Sequence, residues 1–334
     1  MSARKLSVYS DGTDRWRLVE GDALLALAKI PDHSVDAIVT DPPYGISFAG
    51  NAWDGKAIQQ AVSSAGERPS PNEAFARWTQ VWASEALRVL KPGGHLMAFG
   101  APRTAHALTR GAEEAGLEIR EQLMWMYAQG MPKSRLFPGG LGTMLKPAYE
   151  PILLARAPLE GTTPRNLEGW GTGALNIAAS RVNGRWPAHV ALSHAAGCTR
   201  ARCAPDCPVG MLGRQREGLS RMFFCAKATR AEREAGLEQF PVRSSQLFTG
   251  TGRPARLRAN IHPTVKPLAL MAWLVRLITP VGGTVLDPFC GSASTGAASL
   301  LEGRRFLGIE REPEYADIAC ARLTHWAHET RESS

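Results

Sequence analysis

Short apolar runs alternate with segments of helical periodicity through about the first 130 residues of the chain. Residues 35–40 are rich in β-branched side chains and stop at two prolines, which is typical of a buried strand. Residues 73–90 carry apolar side chains at helical spacing and end at Lys-Pro-Gly-Gly, a strong stop signal. The predicted strands are 17–20, 35–40, 95–100 and 122–127, and the predicted helices are 23–29, 73–90 and 104–115. This alternation predicts an α/β fold with a doubly wound, mostly parallel sheet.

The alternation is interrupted between residues 158 and 258, where Gly, Pro, Arg and Asn separate short segments without a lasting period. One helix start is clear there, because Thr229 and Glu232 have the spacing of a capping box. The alternation resumes with helices over 268–278, up to about 301 and from 313, and with strands over 284–287 and 305–309. The sequence therefore predicts two halves of one domain, residues 1–157 and 259–334, separated by an irregular insert, residues 158–258.

The basic charge is concentrated in that insert. The chain has 39 Lys and Arg against 31 Asp and Glu, a net charge of +8. Residues 156–258 hold 16 basic against 7 acidic residues, whereas 1–155 hold 16 against 16 and 259–334 hold 7 against 8. A solvated basic face is one explanation, but the partition between segments favours an insert that contacts a nucleic acid.

Six cysteines in 334 residues do not form a disulfide framework, and reduced thiols or metal ligands are expected. Four candidate ligands, His194, Cys198, Cys203 and Cys207, have the spacing H-x3-C-x4-C-x3-C inside the insert. An imidazole and three thiolates are the ligand set of a structural zinc site. Because the spacing contains no C-x2-C pair, a loop with reduced thiols is the alternative to zinc.

Asp41-Pro42-Pro43-Tyr44 follows the predicted strand 35–40, at the strand end where open α/β sheets gather their ligands. The prolines remove two backbone donors and leave carbonyl groups free to accept hydrogen bonds. A carboxylate and a carbonyl that accept both N–H bonds of a heteroaromatic amino group would favour its pyramidal, nucleophilic form, and the tyrosine ring would stack on the base. An ordinary proline turn is the alternative, since four residues can match by chance.

A second motif, Asp287-Pro-Phe-Cys-Gly-Ser-Ala-Ser-Thr295, lies between a predicted strand and a predicted helix. A glycine in such a turn lets the backbone approach a ligand, and the helix N–H groups point at its carboxylate. Glu310 ends the next strand, where an acid can bind both ribose hydroxyls of a nucleoside cofactor. The sequence lacks G-x-G-x-x-G, which argues against NAD, and an ordinary turn with a surface glutamate is the alternative.

A third segment, Asn260-Ile-His-Pro-Thr-Val-Lys-Pro267, precedes the helix that leads into this turn. Lys266 is therefore a candidate contact for the cofactor carboxylate. A surface lysine in a proline turn is the alternative, but the position just ahead of the Asp287 motif favours binding.

The three motifs, in this order, resemble the permuted beta group of DNA amino-methyltransferases over about residues 16–156 and 259–325. That family has a Rossmann-like methyltransferase sheet, with the catalytic half first, the target-recognition region second and the cofactor-binding half third. The resemblance implies methyl transfer from S-adenosylmethionine to the exocyclic amino group of a base flipped out of double-stranded DNA. Catalysis would then be mainly placement of the methyl donor and the amine.

The resemblance also implies roles for single residues. Asp41 and the Pro42 carbonyl would hold the amino group while Tyr44 stacks on the base. Residues 125–134 resemble the segment that closes over the base, and Ala293 stands where many members have a second glycine. The implied cofactor site comprises Asp22 near the adenine, Glu310 at the ribose, Thr264 and Lys266 near the methionine end, and Asp41, Asp287, Phe289, Cys290, Gly291 and Ser292.

Two targets stay open, the 6-amino group of adenine and the 4-amino group of cytosine. The aspartate that begins the first motif favours adenine, because cytosine enzymes more often carry serine there. A non-catalytic DNA-binding relic is opposed by the intact motifs, and an RNA or small-molecule methyltransferase leaves the basic insert unexplained.

The expected setting is the cytoplasm of a bacterial or phage-type system, in association with nucleoid DNA. Residues 1–5 lack an apolar signal core, and no apolar run is long enough to span a bilayer, so no membrane partner is expected. A homodimer and a cognate restriction endonuclease are compatible with the family, and the sequence does not decide on either.

Overall fold

A computed structural model describes residues 6–63, 69–127, 136–182, 184–193, 198, 202–205, 207–215, 223–224, 228–244 and 257–332. The strands are β1 (Ser7–Ser10), β2 (Trp16–Glu20), β3 (Val35–Thr40), β4 (Leu90–Phe99), β5 (Glu118–Met126), β6 (Tyr149–Arg156), β7 (Val190–Leu192), β8 (Phe223–Phe224), β9 (Arg243–Ser244), β10 (Leu257–Arg258), β11 (Thr284–Asp287) and β12 (Arg305–Glu310). The α-helices are α1 (Ala23–Leu27), α2 (Lys56–Val62), α3 (Pro71–Val89), α4 (Ala105–Glu114), α5 (Thr163–Trp170), α6 (Pro208–Gln215), α7 (Arg230–Glu234), α8 (Leu268–Ile278), α9 (Ser294–Leu301) and α10 (Pro313–Glu332).

In the described part of the chain, ten strands form one sheet in the order β1-β2-β12-β11-β3-β4-β6-β5-β7-β8. The five strands from β2 to β4 are parallel, whereas β6 is antiparallel to both of its neighbours. Winding reverses between β3 and β11, since the chain continues from β3 to β4 on one side and from β11 to β12 on the other. Open α/β sheets bind ligands at such a switch point. The predicted doubly wound, mostly parallel α/β fold is confirmed.

Helices cover both faces of this sheet. In β3, Ile38 faces a core shared with α1 to α4, whereas Ala37 and Val39 face a second core shared with α8, α9 and α10. All six β3 side chains are therefore buried. A strand covered on both faces needs a continuous apolar run rather than an alternating one, as residues 35–40 show.

The predicted elements of the two halves are present with shifted ends. The Lys-Pro-Gly-Gly sequence ends α3 as predicted, but strand β4 already begins at Leu90 and includes it. The reason is an irregularity in the pairing with β3, where Lys91 donates to Asp36 at 2.5 Å and Asp36 also accepts from Thr284 N. At its other end, α3 begins two residues earlier than predicted, because Ser70 caps it by accepting from Glu73 N.

Strand β6 is an element that the sequence analysis missed. Pro151 stands inside it, which argues against a central strand when only the sequence is read. In the structure β6 lies between β4 and β5, and the Pro151 carbonyl accepts from Gly100 N at 2.9 Å.

Parts of the insert pack on the flanking halves. β7 extends the sheet beyond β5, and Asn166 of α5 donates to the carbonyl of Pro92. Thr229 caps α7 as its spacing predicted, and Glu232 of α7 accepts from Leu268 N at the start of α8. The boundaries 157/158 and 258/259 stay a prediction. No helix in the described ranges is long and apolar enough to cross a membrane.

Candidate active site

An open cleft of 2270 Å³ lies at the carboxyl ends of β3, β11 and β12. The structure brings every predicted catalytic and cofactor residue to its lining, although they come from both ends of the chain. These residues are Asp22, Asp41, Pro42, Tyr44, Thr264, Lys266, Asp287, Phe289, Cys290, Gly291, Ser292 and Glu310.

The Asp41-Pro-Pro-Tyr44 loop leaves the end of β3 directly into this cleft. Asp41 accepts from Lys266 Nζ at 2.7 Å through Oδ2 and from the Tyr44 hydroxyl at 2.6 Å through Oδ1. Pro42 is buried. The segment 260–267 thus contacts the Asp41-Pro-Pro-Tyr44 loop through Lys266. The predicted contact of Lys266 with the methionine end of the cofactor stays a prediction.

Glu150 is a second carboxylate in this site, and sequence reasoning missed it. Its Oε2 lies 3.1 Å from Lys266 Nζ and accepts from the Tyr44 hydroxyl at 3.1 Å. Tyr127 also hydrogen-bonds to Glu150. Two acids therefore share one lysine, and two tyrosines hydrogen-bond to those acids. Little in the sequence indicates Glu150, because it is a single acid outside any motif. It also lies at the start of β6, a strand that was not predicted.

Burial and the ion pairs oppose each other in this cluster. Burial raises the pKa of Asp41, and Lys266 partly offsets that rise. Burial alone would lower the pKa of Lys266, but the carboxylates of Asp41 and Glu150 reverse the effect and raise it. Lys266 is therefore a cation at neutral pH and stabilises the two half-buried acids beside it.

Asp54 is a third acid that the sequence analysis missed. Its carboxylate is buried and accepts from the backbone N–H groups of Tyr44, Gly45 at 2.9 Å, Ile46 at 3.3 Å and Phe48 at 2.6 Å. These four bonds fix the backbone that follows the two prolines. Asp54 has no motif around it, so only the folded loop shows its contribution.

The glycine turn after β11 is tight against its neighbours. Gly291 has φ of +54°, and a Cβ there would lie 2.5 Å from His262 Nε2. Its N–H donates to Glu310 Oε2 at 2.7 Å, and Glu312 N donates to Glu310 Oε1 at 2.8 Å. Burial raises the pKa of Glu310 to about 7. A backbone N–H of Arg311 also hydrogen-bonds to this carboxylate.

Two further residues shape the same turn. Ala293 adopts the left-handed conformation, with φ 57° and ψ 40°, which costs a non-glycine residue about 1–2 kcal/mol. This explains in physical terms why glycine suits that position. Arg322 of α10 is fully buried and donates to the carbonyl and hydroxyl of Ser292. Burial lowers the pKa of Arg322 to about 10, so it remains charged at neutral pH.

Other predicted cofactor residues also have structural contacts. Asp287 accepts from the hydroxyls of Thr40 at 2.7 Å and Thr295 at 2.6 Å, and burial raises its pKa to about 6. The Phe289 ring packs against Trp78 and Trp82 of α3, with centroids 5.5 Å apart. Asp287 therefore joins β3 to β11, and Phe289 joins the turn to α3.

Cys290, Asp22 and Thr264 complete the predicted set. Cys290 is buried, and burial raises the pKa of its thiol well above the usual range. Asp22 caps α1 by accepting from Leu24 N and Leu25 N. Thr264 N donates to His262 Nδ1 at 3.4 Å. Burial lowers the pKa of His262 to about 3, so this ring is neutral.

Three of the four predicted zinc ligands lie together in the structure. The sulfur atoms of Cys198, Cys203 and Cys207 are all within 4.8 Å of one another, whereas His194 lies outside the described residues. Of the predicted base-closing segment, 125–127 are described and 128–134 are not. Trp125 and Tyr127 line the cleft, with ring centroids 5.3 Å apart.

The switch point of this Rossmann-like sheet joins an Asp-Pro-Pro-Tyr loop to a glycine turn and a buried acid. This arrangement is typical of methyltransferases that act on amino groups with a nucleoside cofactor. The family model of the N6/N4 methyltransferases, described as DNA methylase, matches residues 35–321. The chain therefore belongs to this family. It is an S-adenosylmethionine-dependent DNA amino-methyltransferase, as its resemblance to the permuted beta group predicted.

Known relatives span nearly the whole chain. The DNA adenine methyltransferase YhdJ of Escherichia coli (strain K12) is 26% identical over 321 residues, which cover 96% of this chain and 87% of the relative. The Type II methyltransferase M2.DpnII of Streptococcus pneumoniae is 23% identical over 308 residues, which cover 92% and 88%. The solved PvuII DNA methyltransferase (cytosine-N4-specific) is similar in fold, with a TM-score of 0.58 at 15% identity and coverage of 96% and 94%.

Proposed function

We propose that this enzyme methylates the 6-amino group of an adenine flipped out of double-stranded DNA. The observation that carries the proposal is that Asp41 and the Gly291 turn open into one cleft, so an amino group and a methyl donor can meet there. Adenine is favoured over cytosine by the aspartate at position 41. The relative named as a DNA adenine methyltransferase supports the same choice.

Asp41 and the Pro42 carbonyl would accept the two N–H bonds of the adenine amino group. Oδ1 of Asp41 would exchange its Tyr44 partner for the amino group, while Oδ2 keeps Lys266. Lys266 fixes the carboxylate in position at no cost in reorganisation, which is how preorganised charges lower a barrier. The aromatic face of Tyr44 would then stack on the base. After transfer, Asp41 is the nearest acceptor for the proton that the amino nitrogen loses.

The second motif would hold the cofactor. S-adenosylmethionine supplies an electrophilic methyl group on its sulfonium when bound. Glu310 would accept from the ribose hydroxyls, and the turn from Asp287 to Ser292 would surround the nucleoside and methionine parts. Asp22 would lie at the adenine, and Thr264 with Lys266 at the methionine end. The glycine turn fits this role, since Gly291 and the buried carboxylate of Glu310 line the same cleft.

Residues 158–258 would serve as the target-recognition region between a catalytic half (1–157) and a cofactor-binding half (259–334). The balance of 16 basic against 7 acidic residues over 156–258 suits the phosphate backbone. Extraction of the base costs a few kcal/mol, which contacts from this region would offset. A cytoplasmic setting with nucleoid association fits the bacterial sources of the relatives. A homodimer and a cognate restriction endonuclease are further partners to test.

The decisive experiment is nucleoside mass spectrometry of PCR-amplified genomic DNA and, in parallel, of total RNA after incubation with the enzyme and methyl-deuterated S-adenosylmethionine. We expect deuterated N6-methyladenine. Deuterated N4-methylcytosine would overturn the choice of base, and label in RNA alone would overturn the substrate. Asp41→Ala serves as the inactive variant. Asp317→Ala, an exposed acid of α10 outside the cleft, serves as its matched control.

A further inference from the structure

The insert contains a compact thiol cluster at the outer edge of the sheet. The sulfur atoms of Cys198, Cys203 and Cys207 lie within 4.8 Å of one another. Cys207 is fully buried. Zn–S bonds of about 2.3 Å in a tetrahedron place sulfur atoms about 3.8 Å apart, so three thiolates of one zinc ion fit this spacing.

The surrounding backbone is built for sulfur ligands. Ala204 N donates to Cys198 Sγ at 3.2 Å, a bond that favours a thiolate acceptor over a thiol. Gly210 of α6 lets the helix approach Cys203, because a Cβ at Gly210 would lie 2.8 Å from the Cys203 Cβ. Cys207 N in turn donates to the Ala204 carbonyl at 3.0 Å, which closes the turn between the ligands.

The cluster is connected to the wall of the active-site cleft. Cys207 packs with Val209 against Leu192 of β7. β7 pairs in parallel with β5, with Ala191 opposite Trp125. Ser193 accepts from Trp125 Nε1 at 2.9 Å. The path from the thiols to the cleft thus runs through one short strand of three residues.

We propose that Cys198, Cys203 and Cys207 bind a structural zinc ion that holds β7 against β5 and so positions Trp125 in the cleft. Zinc is favoured over other metals because a tetrahedral, thiolate-rich set suits it and because it needs no redox partner. Each thiol releases its proton on binding. The structure assigns these three thiolates only, because His194 lies outside the described residues.

The first test is metal content by plasma mass spectrometry of protein purified without chelators. We expect about one zinc ion per chain in the wild type. Cys207→Ser should hold less than about a tenth of that, and Cys320→Ser, a cysteine of α10 far from the cluster, should keep the wild-type content. A zinc-free wild type that takes up neither Zn²⁺ nor Co²⁺ on titration would overturn the site.

The second test uses the intact wild type, so it does not depend on the folding of a variant. Removal of zinc with a chelator should lower DNA methylation at least about tenfold and leave S-adenosylmethionine affinity within about threefold, and added zinc should restore activity. Cys203→His, which keeps a zinc ligand, should retain the metal.

Trp125 fluorescence, taken as the difference between wild type and Trp125→Phe, should respond to zinc removal, and an unchanged signal would overturn the link to the cleft. The zinc measurements do not depend on the proposed choice of adenine, because that choice is tested only by the identity of the methylated base.

Discussion

Lys266 Nζ lies 2.7 Å from Asp41 Oδ2, although 225 residues separate them along the chain. The contact joins the segment that precedes α8 to the Asp41-Pro-Pro-Tyr44 loop. Glu150 shares the same lysine at 3.1 Å, so removal of the Asp41 carboxylate leaves Lys266 with an acidic partner. The two carboxylates can therefore be tested separately.

Asp41→Ala should lower kcat by on the order of 10²–10³, because a preorganised acceptor for the amino group is removed. Affinity for S-adenosylmethionine should change by less than about threefold, since Lys266 remains paired with Glu150. Single-turnover kinetics and calorimetry measure the two quantities. A folded variant that no longer binds the cofactor would show that Asp41 contributes mainly to cofactor binding rather than to holding the amino group.

Tyr44→Phe should keep most of the activity, whereas Tyr44→Ala should reduce it on the order of 10–100-fold, because base stacking is worth about 1–3 kcal/mol. The phenylalanine variant lacks the hydroxyl that hydrogen-bonds to Asp41 and Glu150, so a small decrease in activity measures the two contacts together. Fluorescence of 2-aminopurine at the target position reports the flipped base. Equal signals from the Tyr44→Ala variant and the wild-type enzyme would contradict stacking.

Affinity for S-adenosylmethionine should depend on pH through Glu310. Burial raises the pKa of Glu310 to about 7 in the free enzyme. In the proposed site the ribose hydroxyls would donate to the carboxylate, so we expect the affinity to be fully present above this pKa. It falls as the pH drops below it, by at most about tenfold per pH unit. Calorimetry from pH 6 to pH 8 measures the slope. Glu310→Gln should bind S-adenosylmethionine more weakly, and its affinity should not depend on pH in this range. If the affinity of the wild type does not change with pH, Glu310 does not bind the ribose.

Asp54→Ala should destabilise the protein and slow methylation, because four backbone donors would be left without their shared acceptor. A buried donor without a partner costs about 1–3 kcal/mol, so the free energy of unfolding should fall by at least that amount. Asp32→Ala is the matched control, since its exposed carboxylate has an ion pair with Arg88 and should change stability by less than about 0.5 kcal/mol. Urea denaturation of both variants compares them directly. Equal midpoints would show that solvent replaces the Asp54 carboxylate.

The sequence predicted what is local and missed what depends on distant contacts. The strand before Asp41 and the turn at Gly291 are local, because residue types at a strand end decide both. Glu150 and Asp54 were missed because their partners come from other segments. Glu150 reaches its partners only because β6 lies between β4 and β5. That strand was not predicted, because Pro151 within it is disfavoured in a central strand.

Charge reversal in the insert should weaken DNA binding in a salt-dependent way. Arg185 is exposed in a short hairpin where it pairs with Val182, beside Trp186, which is 67% exposed. Arg185→Glu should flatten the slope of log affinity against log salt by about 0.9 for each phosphate group that the protein no longer neutralises. The control is Lys29→Glu, because Lys29 is an exposed charge after α1 that lies outside the cleft. If Arg185→Glu leaves the slope of log affinity against log salt unchanged, this hairpin does not contact DNA phosphates.

β11 and β12 occupy the two places between β3 and β2 in the sheet. During synthesis, β2 and β3 therefore emerge long before the strands that separate them. Until β11 and β12 are made, two central strands present unpaired edges, and such edges pair with other chains. A ribosome that stalls within the insert would release an aggregation-prone fragment rather than a half-active enzyme. The edges of β2 and β3 are therefore covered only after translation is complete.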